Sequence, residues 1–131
     1  MLKHCMLDLE SIGRSPDGGV IAIGAVAFDP DPDDGEIGAC FLRLIDPIDA
    51  ARHGSVNMAT MLWWMKQEAT VRDEMFSGTL PLKKALRMFA DWYKDLGFER
   101  VWANGTTFDI TIMEHALMAC NVKRPWHYRD V

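Results

Sequence analysis

The apolar run from Val20 to Phe28 most constrains the fold, because it contains no charged residue and combines β-branched with small side chains. Gly18 and Gly19 precede this run and Asp29-Pro30 follows it, so turn-forming residues limit it to the length of a strand. Residues 2–9 and 36–45 also have the composition of strands, and only short turns separate the three segments. The pattern therefore predicts a three-stranded antiparallel meander.

Helical patterns follow the meander, with apolar side chains recurring at spacings of three and four. The predicted elements are, in order, helices at 57–67, 69–75 and 80–96, a short strand at 100–103, a helix at 107–120 with Thr106 or Thr107 as N-cap, and the start of a last strand at 125–128. A strand between helices needs a parallel crossover to its neighbours. The sequence thus predicts an α/β domain with a mixed sheet and flanking helices.

The length and the net charge of the chain limit the number of domains and the classes of function that it can have. The chain has 131 residues, which fits a single domain over residues 1–131. Its net charge is −5, whereas proteins that bind many phosphates without sequence preference are basic. An enzyme that holds only the end of a strand through bound cations does not need a basic surface. The acidic balance therefore argues against a nucleic-acid-binding module more than against a nuclease.

The cysteines and the N-terminus predict the cellular compartment. Cys5, Cys40 and Cys120 are widely separated and form no C-x-x-C pair, which is typical of a protein from a reducing compartment. Asp8 comes too early for a signal-peptide apolar region, and no apolar run has the length of a membrane span. We therefore expect a cytoplasmic protein without a membrane partner.

Two carboxylates end the first predicted strand. Because side chains alternate along a strand, Asp8 and Glu10 share a face and lie roughly 7 Å apart. Asp109 lies in the first turn of a helix after a strand, where ligands gather in open α/β sheets. Oxygen ligands suit Mg²⁺ or Mn²⁺. The residues alone support a divalent-metal site, with a charged strand end and a helix-stabilising aspartate as the alternatives.

Two longer segments add specificity to this pattern. Residues 6–11, followed by residues 21–28, resemble the first motif of DEDD-type 3′–5′ exonucleases and the strand after it. Residues 61–67 contain W-W-x-x-Q, and residues 101–109 contain N-G-x-x-F-D. Together the segments are similar to the bacterial and phage 3′–5′ exoribonuclease-like branch of that superfamily. The resemblance extends from residue 3 to about residue 129.

The resemblance implies an RNase H-like fold and removal of nucleotides from the 3′ end of a single strand, RNA being favoured over DNA. It implies two Mg²⁺ or Mn²⁺ ions per site. Asp8 would bridge both ions, Glu10 would hold the ion near the attacking water, and Asp109 would hold the other. It also implies contacts to the terminal nucleotide from the backbone around Leu9 and Ser11 and from Asn104.

The aromatic pair in the W-W-x-x-Q segment suggests further substrate contacts. Trp63 and Trp64 could stack on bases, and Gln67, one turn on, could hydrogen-bond a substrate or solvent. Adjacent helix positions point about 100° apart, so both indoles cannot face one groove. Core packing of at least one tryptophan is the alternative.

The last motif of the resembled family, H-x-x-x-x-D or Y-x-x-x-D, has no match in this sequence. Asp130 lies in a stretch similar to the family's last strand and is not predicted to be a ligand. We therefore expect a C-terminally incomplete domain, and a homodimer if a neighbouring chain covers the face left bare. Two alternatives to an active exonuclease follow. One is a non-catalytic remnant that binds metal or nucleic-acid ends, and the other is a phosphoesterase acting on small phosphate esters.

Overall fold

A computed structural model of the chain describes residues 2–31, 33, 35–104, 107–127 and 131, without the side chain of Thr107. The elements are β1 (His4–Ser11), β2 (Val20–Phe28), β3 (Ile37–Leu44), α1 (Pro47–His53), α2 (Met58–Met65), α3 (Ala69–Met75), α4 (Leu82–Asp95), β4 (Arg100–Ala103) and α5 (Thr107–Ala119). The four strands form one sheet in the order β3-β2-β1-β4. β1 is antiparallel to β2 and parallel to β4, and β2 is antiparallel to β3. The predicted meander and the mixed sheet are confirmed.

Helix α1 was not predicted from the sequence. The third predicted strand ends at residue 45 and the first predicted helix begins at residue 57, whereas Asp46 and Pro47 already start a helix. The Asp46 side chain accepts a hydrogen bond from the Ile48 N–H at 3.0 Å, and Pro47 occupies the first turn, where its missing N–H leaves no bond unmade. The combination of an acidic N-cap and a first-turn proline was the signal for this helix.

The C-terminal prediction is corrected in part. Residues 125–127 do not form a strand, while Tyr128 lies outside the described residues. Of the two predicted N-caps of α5, Thr106 also lies outside them, and Thr107 is the first residue of the helix. No helix in the described ranges is long and apolar enough to span a membrane.

The two faces of β1 have different surroundings. Cys5, Leu7 and Leu9 are buried and belong to one core cluster that also contains residues of α4 and α5, among them Phe89 and Met113. The alternate positions, which include Asp8 and Glu10, are half-buried or exposed. The period of two therefore directs the apolar side chains into the core and the carboxylates to the opposite face.

Helix α4 covers the core face of the sheet with one apolar stripe. Leu82, Leu86, Phe89 and Tyr93 are buried and recur at spacings of four and three. Gly97 follows the helix with a φ of 67°, a conformation that favours glycine and that ends helices. This packing fixes the sheet that carries the carboxylates.

Candidate carboxylate site

Strand β1 places Asp8 and Glu10 on the same face of the sheet. Asp8 lies opposite Gly24 of β2 and is exposed, while Glu10 lies opposite Ala22 and is half-buried. A Cβ atom at Gly24 would lie 3.2 Å from the Asp8 carbonyl oxygen, which is tighter than most such contacts. Both residues of β2 opposite the carboxylates are therefore small, and Gly24 places no side chain beside Asp8.

Asp109 reaches the same region from α5. Strand β4 ends at Ala103, which pairs with Leu7, so the following part of β1 has no strand on that side. There the backbone N–H of Leu9 acts on the Asp109 carboxylate as a hydrogen-bond donor and lowers its pKa. Asp109 therefore lies beside the part of β1 that carries Asp8 and Glu10.

The electrostatics of the site show that the three carboxylates interact. Burial raises the pKa of Glu10, and the negative charges of Asp8 and Asp109 raise it further. Burial also raises the pKa of Asp109, opposed by the hydrogen bond from the Leu9 N–H and reinforced by the charge of Asp8. The ionised states of Glu10 and Asp109 are therefore disfavoured, as in sites where a cation offsets carboxylate repulsion.

The donor chemistry of the site fits Mg²⁺ or Mn²⁺, since all three side chains offer hard oxygen ligands. The ion pairs found among the described residues join other side chains, so no lysine, arginine or histidine there forms an ion pair with these carboxylates. Within the same ranges, no group of three or more histidine, cysteine, aspartate or glutamate side chains is arranged to hold a metal ion. The carboxylates are neighbours, and metal binding by them stays a prediction.

The two adjacent tryptophans of α2 lie in different environments, one buried and one exposed. Trp64 is 4% exposed, packs edge-to-face against Phe76, and donates its indole N–H to the Ser11 carbonyl at 3.1 Å. The prediction that Trp64 contacts substrate is therefore wrong, because its ring is part of the core. Trp63 is 54% exposed and remains available for stacking.

The remaining predicted substrate contacts differ in the internal hydrogen bonds that they already make. Asn104 is exposed just after β4. The Gln67 amide donates to the Trp63 carbonyl at 3.0 Å within its own helix end. The Ser11 hydroxyl donates to the Gly13 carbonyl at 2.8 Å, and the Leu9 N–H is bonded to Asp109. Substrate contacts by Leu9 and Ser11 would compete with these internal hydrogen bonds, and all four contacts stay predictions.

Replacement of Asp109 by asparagine tests the repulsion between the carboxylates. In EDTA at pH 7.5 we expect Asp109→Asn to raise the free energy of unfolding by up to about 1 kcal/mol, because the partly solvated charge is removed and an acceptor for the Leu9 N–H remains. A carboxyl with a raised folded-state pKa favours folding most at low pH and loses that contribution as pH rises through the folded pKa. The difference in free energy of unfolding between Asp109→Asn and the wild-type protein should therefore shrink as the pH approaches 4. Thermal unfolding of both proteins from pH 4 to 7.5 measures this difference. A variant that is less stable than the wild-type protein across the whole range would refute the repulsion between the carboxylates.

Comparison with known proteins places this geometry in context. A family model described as the Rv2179c-like 3′–5′ exoribonuclease domain matches residues 3–131. The chain is similar in structure to cell-death related nuclease 4 (CRN-4), with a TM-score of 0.61 and 15% sequence identity. That match covers 92% of this chain and 41% of the nuclease, so the chain spans less than half of the nuclease's length. No curated protein sequence matches the chain. The structural likeness confirms the predicted RNase H-like α/β fold.

Proposed function

We propose that this chain, which belongs to the Rv2179c-like family of 3′–5′ exoribonuclease domains, is a metal-dependent exonuclease that removes nucleotides from the 3′ end of single-stranded RNA. The observation that carries the proposal is that Asp8 and Glu10 share one face of β1 and that the charge of Asp109 acts on Glu10 from α5. Their charges disfavour one another, and the described residues supply no ion-pair partner. Carboxylates whose negative charges repel one another, with no positive side chain beside them, are typical of sites that bind a catalytic cation.

The proposed mechanism assigns one task to each carboxylate. Asp8, whose charge acts on both other carboxylates, would hold both cations. Glu10 would hold the cation beside the attacking water, and Asp109 would hold the cation beside the leaving oxygen. When bound, divalent cations lower the pKa of such a water and stabilise the charge on the leaving oxygen. The protein contributes mainly position, which the rigid strand and the bond between Leu9 and Asp109 help to fix.

Digestion of 5′-labelled single-stranded RNA tests the proposal. With Mg²⁺ or Mn²⁺ we expect a ladder of products that shortens from the 3′ end, no ladder in EDTA, and slower digestion of single-stranded DNA of the same sequence. A chromogenic phosphodiester serves as the comparison for small-ester hydrolysis. Its turnover without any digestion of RNA would contradict an exonuclease and favour the phosphoesterase. Metal binding without digestion of either substrate would indicate a non-catalytic remnant.

A further inference from the structure

The carboxylates lie on the part of β1 where the sheet holds the backbone least. Strand β4 ends opposite Leu7, so within the described residues β1 has no paired strand on that side beyond this point. On the other side, the pairing with β2 is regular as far as Glu10 and shifts register between Glu10 and Ser11. Irregularities of this kind are frequent beside active sites, where they redirect a side chain. The end of β1 at Glu10 therefore needs support from outside the sheet.

The indole of Trp64 gives this strand end a fixed point. Its N–H donates to the carbonyl of Ser11, the residue directly after Glu10, at 3.1 Å. The ring of Trp64 is 4% exposed and packs edge-to-face against Phe76, with 5.7 Å between the ring centroids. Breaking the bond would leave a buried donor unpaired, which is unfavourable. A packed ring thus holds the Ser11 peptide group in one orientation.

The position of Trp64 relative to β1 is itself fixed by backbone contacts. The Asn57 N–H donates to the Ile12 carbonyl at 2.8 Å and so joins the start of α2 to the chain after β1. A Cβ atom at Gly13 would lie 2.6 Å from the Ser55 carbonyl oxygen, so only glycine allows the two segments to approach this closely. Helix α2 and the end of β1 are therefore joined at three consecutive residues of the chain.

The simpler interpretation of the bond to Ser11 is that it only satisfies a buried indole, since tryptophan N–H groups usually find a partner when buried. The place of the acceptor favours a second role. The Ser11 carbonyl lies one residue after a predicted metal ligand, where the ladder with β2 is irregular and β4 has ended. A constraint at this point acts directly on the backbone that carries the Glu10 side chain.

We propose that Trp64 is a positioning residue for Glu10. Through the Ser11 carbonyl, its indole N–H holds the end of β1 in the orientation in which the Glu10 carboxylate binds a divalent cation. The proposal rests on the proposed function for the role of that cation. Trp64 touches neither cation nor substrate in this assignment. Loss of its N–H should therefore lower cation affinity and kcat while leaving KM nearly unchanged.

Trp64→Phe, which keeps an aromatic ring and removes the N–H, tests the assignment. We expect calorimetric titration to show a Kd for Mn²⁺ about tenfold higher than that of the wild-type protein, the lower end of the range for groups that orient metal ligands. Digestion of 5′-labelled single-stranded RNA should show kcat lowered by about tenfold and KM changed by less than about twofold.

Phe76→Leu is the matched control, because it removes the ring packed against Trp64 and keeps the indole N–H. We expect this variant to lose stability and to retain the wild-type kcat and Mn²⁺ affinity. Equal losses of kcat and Mn²⁺ affinity in Phe76→Leu and Trp64→Phe would show a general effect of packing and would overturn the positioning role.

Benzothienylalanine at position 64 keeps the shape of the indole and replaces its N–H by sulfur, so it provides a second variant with the original packing. We expect the same losses of Mn²⁺ affinity and kcat as in Trp64→Phe. Wild-type values of both quantities would overturn the positioning role. A raised KM with wild-type kcat and Mn²⁺ affinity would do so as well, because it would place the effect on Trp63, whose ring contacts Trp64.

The outcomes separate the positioning role from the exonuclease activity. Cleavage of RNA with equal kcat and equal Mn²⁺ affinity in the wild-type protein and both variants at position 64 would overturn the positioning role and leave the exonuclease intact. Mn²⁺ binding without cleavage by the wild-type protein, weakened in both variants and unchanged in Phe76→Leu, would support the positioning role and overturn the proposed activity. Absence of Mn²⁺ binding to the wild-type protein would overturn the positioning role together with the cation site.

Discussion

We expect Asp8→Asn to reduce the rate of the proposed 3′-end removal from single-stranded RNA by on the order of 1,000-fold or more. The expectation follows from the position of Asp8 on the same face of β1 as Glu10, where its charge raises the pKa of both Glu10 and Asp109. A cation held by such a group supplies several kcal/mol of charge stabilisation in the transition state. Asparagine has nearly the same shape, so the loss should appear in kcat with little change in folding. Initial rates on 5′-labelled RNA with Mn²⁺ measure it.

The matched control for this variant is Asp91→Asn. Asp91 is exposed on α4, so its replacement changes the net charge by the same amount away from the site. We expect the Asp91 variant to retain the wild-type rate. Equal rates for the wild-type and the Asp8 variant would show that Asp8 has no part in the activity, provided that circular dichroism confirms folding of both proteins.

Trp64→Ala lowers the free energy of unfolding by about 3–5 kcal/mol, whereas Trp63→Ala changes it by less than about 1 kcal/mol. The first variant removes a buried ring and the hydrogen bond to the Ser11 carbonyl, and both losses fall in the core. The second removes a ring that is more than half exposed. Denaturant unfolding of the two variants provides the comparison.

Trp64→Phe separates packing from hydrogen bonding at this position. It keeps most of the contact with Phe76 and removes the indole N–H, so we expect a smaller loss, mainly from the unpaired Ser11 carbonyl. Similar destabilisation by Trp63→Ala and Trp64→Ala would contradict the assignment of one ring to the core and the other to the surface.

The sheet could be predicted from the sequence because its signals are local. The uncharged run at 20–28 and the period of two in β1 depend only on neighbouring residues. The same locality explains the prediction that Asp8 and Glu10 share a face. Helix α1 could also have been predicted, since Asp46-Pro47 is a helix-start signal. The signal is ambiguous, because aspartate and proline are also common in turns.

The details of the site depend on contacts that no local pattern contains. Asp109 acts on Glu10 from a different element, α5, and β4 ends opposite Leu7, so the proximity of these groups depends on tertiary structure rather than on neighbouring residues. The choice between Trp63 and Trp64 as the core residue depends on the rotation of α2 about its axis, which the link to Ser11 fixes.

Calorimetric titration of Mn²⁺ into the wild-type protein and into Asp8→Asn tests most directly the claim that Asp8, Glu10 and Asp109 form a divalent-cation site. We predict saturable binding to the wild-type protein and at least tenfold weaker binding to the variant, since one carboxylate ligand is lost. The binding should also release protons at mildly acidic pH, where the raised pKa of Glu10 and of Asp109 keeps part of these groups protonated. Undetectable binding to the wild-type protein, or equal binding to both proteins, would contradict the account.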